Sequence, residues 1–163
     1  TGLILENNSS NNVIRGIFAT IEANENIGAR IYQTASPNIS SNVTTSLTFD
    51  SERWDDSGFH SGTSGNFTIP FAGRYLVDIQ VSFTNNTIGN RMVGIRLNGS
   101  DTLAWVAQPA TGGINNHSMS ASVIYEFIAG DNVDAVVYQT SGSTLQLVQG
   151  VKYSLEFTIQ RLR

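Results

Sequence analysis

The sequence has 163 residues, of which 40% are hydrophobic and 13% charged, and its 9 basic and 13 acidic side chains leave a net charge of -4. That length suits one domain with its own core, and an acidic balance without any basic run excludes an electrostatically bound nucleic acid. The absence of cysteine excludes disulfides, thiol nucleophiles and cysteine-ligated metal, and no apolar run approaches the roughly 20 residues that a membrane-spanning helix needs.

Residues 1–28 differ from the rest. Leu3-Ile4-Leu5, Val13-Ile14 and Gly16-Ile17-Phe18 are short apolar runs separated by the Asn-rich stretch Asn7 to Asn12. One such coil cannot bury its own face. Residues 1–28 are therefore expected to be a stem, a linker or an edge strand from a longer fibre protein, and 29–163 the head domain. The opening Thr1-Gly2, without methionine, is read as belonging to a longer chain.

Ala29 to Gln33 is the first predicted strand, and Ala35 to Thr45, with Pro37, a loop. Leu47 to Asp50 is a short strand. Ser51 to Gly65, with Trp54 and three glycines, is expected to be an exposed loop. Phe67 and Ile69 alternate with polar neighbours until Pro70, which removes a backbone donor; with Gly73 it predicts a tight corner. Beyond the corner lies the clearest strand. Tyr75, Val77, Ile79, Val81 and Phe83 share one face, and Arg74, Asp78, Gln80 and Ser82 the other.

Thr84 to Asn90 is a polar turn. Val93, Ile95 and Leu97 mark the next strand, which ends in Asn98-Gly99, a dipeptide that favours a tight hairpin turn. Leu103 to Ala107 returns, and Gln108 to His117 is a Gly/Asn loop. Met119 to Phe127, Val133 to Val137, Leu145 to Leu147 and Tyr153 to Ile159 supply the remaining strands, with turns at Ala129-Gly130-Asp131 and Ser141-Gly142-Ser143. No window carries helical periodicity. Strands at roughly ten-residue spacing define an all-β chain, and about ten of them fit a jelly-roll β-sandwich.

Five pieces in order resemble the globular head of the complement 1q family, within the tumour necrosis factor-like superfamily: Leu47 to Asp50; Gly65, Phe67, Pro70, Gly73 and Tyr75; Asn98-Gly99; Ala129-Gly130-Asp131 with Val133 and Gln139; and Phe157. The likeness covers residues 29–163. It implies a ten-stranded jelly roll assembled as a homotrimer, a recognition head or receptor ligand and not an enzyme. Similar heads occur on phage fibres and bacterial surface filaments. Ile124, Val136 and Tyr138 point outward from their strands and need cover, which a neighbouring subunit would supply, or else the second sheet or a loop of the same chain.

The residues themselves carry little catalytic chemistry. Ser61, His60 and Asp56 lack the strand–turn–helix context of a nucleophile elbow. His60 and His117 could share a metal only where the fold joins their loops. Asp55-Asp56 is the local carboxylate pair that suits calcium, which some members of the resembled family hold, although turn aspartates more often cap a backbone amide. Trp54, Phe59 and Trp105 are flat groups that could stack on sugars. The expected ligand-binding set is Trp54, Asp55, Asp56, Phe59, His60 and His117, with the loops Ser51–Gly65, Thr84–Asn90 and Gln108–His117 as its frame. The expected function is a trimeric receptor-binding or adhesion head on a viral or bacterial fibre, extracellular, with a glycan as the first receptor class. A trimerisation cap without a ligand and a secreted cytokine-like ligand are the alternatives.

Overall fold

The computed structural model describes residues 27–113, 115–150 and 154–163. Among them are twelve strands: β1 Gly28–Tyr32, β2 Asn38–Ile39, β3 Thr45–Ser46, β4 Ser51–Asp55, β5 Asn66–Thr68, β6 Gly73–Phe83, β7 Asn90–Leu97, β8 Asp101–Pro109, β9 His117–Phe127, β10 Asn132–Gln139, β11 Leu145–Gln146 and β12 Glu156–Arg161. The first sheet runs β4-β1-β12-β6-β9, and the second β3-β10-β7-β8, with β5 also paired to β10. Ten strands thus form two antiparallel sheets, and the short pair β11-β2 stands apart.

The alternating faces explain this arrangement. Tyr75, Val77, Ile79, Val81 and Phe83 of β6 are fully buried and meet Val93, Ile95, Val133, Ala135 and Val137 of the second sheet in one core cluster. Hydrophobic burial of such a side chain contributes roughly 1.5–3 kcal/mol relative to exposure. A run of rings crosses that core. Phe157 stacks on Phe49 at 5.6 Å and on Phe67 at 4.6 Å, while Phe59 meets Phe67 and Tyr75 edge-on. The Tyr75 hydroxyl donates to the Phe71 carbonyl at 2.7 Å and closes the corner after Pro70. Between β7 and β8, Asn98 and Gly99 have φ of 52° and 74°, the paired left-handed geometry of a tight turn, in which the Ser100 amide donates to the Leu97 carbonyl at 3.2 Å.

Several boundaries differ from the sequence reading. Ser51 to Asp55 is an edge strand, β4, paired with β1, where a loop was expected. Its residues are exposed or partly so, because only one edge is paired and neither face is sealed, so no alternation marks it. Leu47 to Asp50 is not a strand, although Leu47 and Phe49 are buried as alternation predicts. The ladder falls just before it, at Thr45–Ser46. Gln108 and His117 lie in β8 and β9 instead of a loop. Of the predicted stem, residues 1–26 lie outside the described residues, as does Tyr153. Ile27 belongs to the core cluster and Gly28 opens β1.

Candidate functional site

The residues expected to bind a ligand separate into structural and exposed groups. Asp55 is a loop cap: Oδ1 accepts from the amides of Ser57 and Phe59, and Oδ2 from that of His60 at 2.9 Å. Asp56 Oδ2 accepts from the Gly28 amide at 3.0 Å. Backbone donors therefore engage both carboxylates, as turn aspartates commonly allow, and no group of three or more acidic or histidine side chains suited to a metal occurs among the described residues. Phe59 is a core ring.

The side chain of His60 is wholly enclosed, with Nδ1 2.8 Å from Glu52 Oε1 and Nε2 3.2 Å from the Ser64 carbonyl. The imidazole thus ties β4 to the loop that follows it. His117 is buried at the start of β9, with Nε2 3.0 Å from Gln108 Oε1. Burial, then the Arg91 charge, lowers its pKa. The two histidines stand at opposite ends of the long strand. His60 follows Phe59, which packs on Tyr75, whereas His117 pairs with Phe83. Eight residues of strand separate those ends by roughly 26 Å, so a shared metal is ruled out. Of the predicted set only Trp54 is a large exposed group, at 40%, on the outer face of the first sheet opposite Arg30.

Two features of that outer face escaped the sequence reading. The first is a clamp. Glu156 of β12 is 1% exposed, although its position alternates outward. Arg30 Nε donates to its Oε2 at 2.6 Å, and Arg53 Nε reaches both oxygens at 2.9 and 3.0 Å. Arg53 is the residue skipped where the β1–β4 register shifts, a bulge that aims its side chain along the sheet. Its guanidinium lies 4.4 Å from the centre of the Tyr32 ring. The second is an apolar pair. Leu76 on β6 and Ile124 on β9 stand directly opposite one another, 39% and 61% exposed. Leu162, just past β12, is also exposed.

The expected interface trio does not form one patch. Ile124 lies on the first sheet, and Val136 and Tyr138 on the second. Val136 is 1% exposed within the single chain, so it needs no cover from a neighbour. It stands opposite Gly94, and Gly94 stands opposite Trp105 on β8. A Cβ on Gly94 would lie 2.4 Å from Trp105 Cε3, which shows that the indole lies over the glycine. The Tyr138 hydroxyl donates to Asn42 Oδ1 at 3.3 Å.

The loop Thr84–Asn90 is held from beneath by Arg91, which is fully buried. Nη1 donates to the carbonyls of Ile88 and Asn90 at 2.9 and 3.0 Å, and Nη2 to that of Asn86 at 3.0 Å. Burial lowers the pKa of this guanidinium.

Two five-stranded antiparallel sheets in this order make the complement- and tumour necrosis factor-like jelly roll. The likeness to solved structures agrees: 84% of the chain matches 98% of the globular domain of zebrafish complement 1qA at a TM-score of 0.61 and 12% identity. The same share matches 99% of murine APRIL at a TM-score of 0.65 and 10% identity. No family model matches the chain. In sequence, 85 residues are 34% identical to an uncharacterised protein of Acanthamoeba polyphaga mimivirus; they make up 50% of this chain and 36% of that protein, so the chain spans about a third of its relative.

Proposed function

We propose that this domain is the trimeric, receptor-binding head of a fibre on a virus or a cell surface, and that it binds without catalysing a reaction. The observation that carries the reading is the opposed pair Leu76 and Ile124, exposed together on the outer face of the first sheet, where Trp54 is exposed as well. Exposed apolar groups paired across strands mark a surface that gains by association. The fold's likeness to complement and APRIL heads supports a closed assembly of three copies, and the mimivirus relative supports a viral source. Three copies on one rigid head would bind a repetitive cell surface through multivalency, each site being weak alone. The place of work is then extracellular, at the tip of the particle or filament.

Light scattering across a dilution series tests this. The expected mass is three times the 17.6 kDa of the chain. Ile124→Asp combined with Leu76→Asp should yield a folded monomer. A wild-type protein that stays monomeric at high concentration would remove the trimeric reading.

A further inference from the structure

On the outer face of the second sheet, we propose a binding site for neutral oligosaccharides that runs from Trp105 to the polar cleft beside Asp134; it rests on the binding-head reading and gives it a ligand class. Trp105 is 44% exposed, yet its indole is laid over Gly94, where no side chain lifts it from the sheet. An aromatic plane held flat before a ligand arrives costs little ordering entropy on binding. Its exposed face is apolar and suits the C–H face of a pyranose, while the ring is too broad to be covered by a water shell without cost.

The row in register from Trp105 through Gly94 and Val136 ends at Ser46. Three strand spacings make this about 14 Å, the span of a short oligosaccharide. At its far end opens a cleft of about 430 Å³, bordered by Ser46, Asn66, Asn132 and Asp134. That volume lies within the roughly 300–1,000 Å³ of small-molecule sites. It lies where β3 and β5 meet along the same margin of β10, with Ser46 opposite Val136 and Asn66 opposite Asp134.

The chemistry of the cleft matches hydroxyl groups. Amides and hydroxyls both donate and accept, as sugar hydroxyls do. Arg96 Nη2 donates to Ser46 Oγ at 2.9 Å and to Asp134, on the path between cleft and indole. Arg96 Nε and Asp134 Oδ1 have no hydrogen-bond partner, although buried polar atoms nearly always do. Arg96 and Asp134 cancel in charge and the chain carries -4 overall, so acidic glycans are disfavoured and neutral ones fit.

The protein contains two tryptophans, so Trp54→Phe leaves Trp105 as the single indole reporter. This variant is titrated with maltotriose, cellotriose, chitotriose and lacto-N-tetraose, and with sialyllactose as the acidic member. At least one neutral member should change Trp105 emission with a dissociation constant near millimolar, and Asp134→Asn should weaken it by about tenfold. Trp105→Phe, which leaves Trp54 as reporter, should show no emission change. A thermal melt of each variant confirms folding. No response from any neutral member, or a response carried by Trp54 instead, overturns the proposal, as does a preference for sialyllactose. The trimer reading is judged separately by solution mass.

Discussion

Arg30 Nε donates to Glu156 Oε2 across 2.6 Å, from a strand that neighbours that of the glutamate, and so covers a carboxylate that the sheet's alternation would leave in solvent. Arg53 completes the cover from β4. Removing one arginine leaves the other in place, so Arg53→Ala should lower the melting temperature only slightly, as the loss of a partly exposed pair does. The double variant Arg30→Ala with Arg53→Ala strands a buried charge and should cost about 3–5 kcal/mol. For a chain of this size that is a fall in melting temperature of roughly 10–15 °C. A double-mutant cycle decides it: simple additivity of the two single changes would show that the glutamate is not shared between them.

Arg91 supports the Thr84–Asn90 loop with a planar fork that a lysine cannot reproduce. Arg91→Lys should therefore leave carbonyls of Asn86 or Ile88 unsatisfied, at a cost of about 2–3 kcal/mol. Amide hydrogen exchange should rise in residues 84–90 before it rises in β6. Unchanged protection of that loop would refute the role.

His117 gives a pH dependence whose sign follows from its surroundings. Its pKa is lowered from 6.5, first by burial and then by the Arg91 charge. Nε2 faces Gln108 Oε1, and the buried Nδ1 has no partner to receive a new proton's hydrogen bond. The folded state thus binds fewer protons than the unfolded chain below pH 6.5. This contribution to stability is fully present above that value and is lost as pH falls from 6.5 towards the lowered folded value. Denaturant melts between pH 7.5 and 5.5 should show the decline, and His117→Gln should flatten it.

Gly94 admits the Trp105 ring because it has no Cβ. Gly94→Ala would place a carbon 2.4 Å from Cε3, so the indole must lift away from the sheet. An overpacked site of this kind costs about 1–3 kcal/mol. In the Trp54→Phe background, Trp105 emission should shift to the red as its ring becomes hydrated. Emission that stays put would mean that the ring is held by contacts elsewhere.

The parts of this fold that were legible in the sequence are those where one face is dry. β6 declares itself through five alternating buried side chains, and the β7–β8 hairpin through a dipeptide that tolerates left-handed backbone. β4 did not, because an edge strand with exposed side chains has no periodicity to read. The site was less legible than the fold. Glu156 and Val136 both occupy outward positions, yet each is 1% exposed, and Glu156 is covered by arginines distant in sequence, on β1 and β4. Alternation reports the direction of a side chain and is silent on what another strand lays over it. Asp55, Asp56 and His60 looked chemically suggestive for the same reason: their partners are backbone groups and a carboxylate that only folding brings near.

The position of β12 sets the order in which the molecule can be built. It lies between β1 and β6, and Gln160 Nε2 bonds to the Ile27 carbonyl across 133 residues of chain. During synthesis the slot between those two strands has nothing to fill it until β12 itself has emerged from the ribosome. Closure over so long a separation is slow. While it stands open, the slot presents two unpaired strand margins to any copy of the same segment made nearby, and strand exchange between nascent chains is the characteristic error such a topology risks.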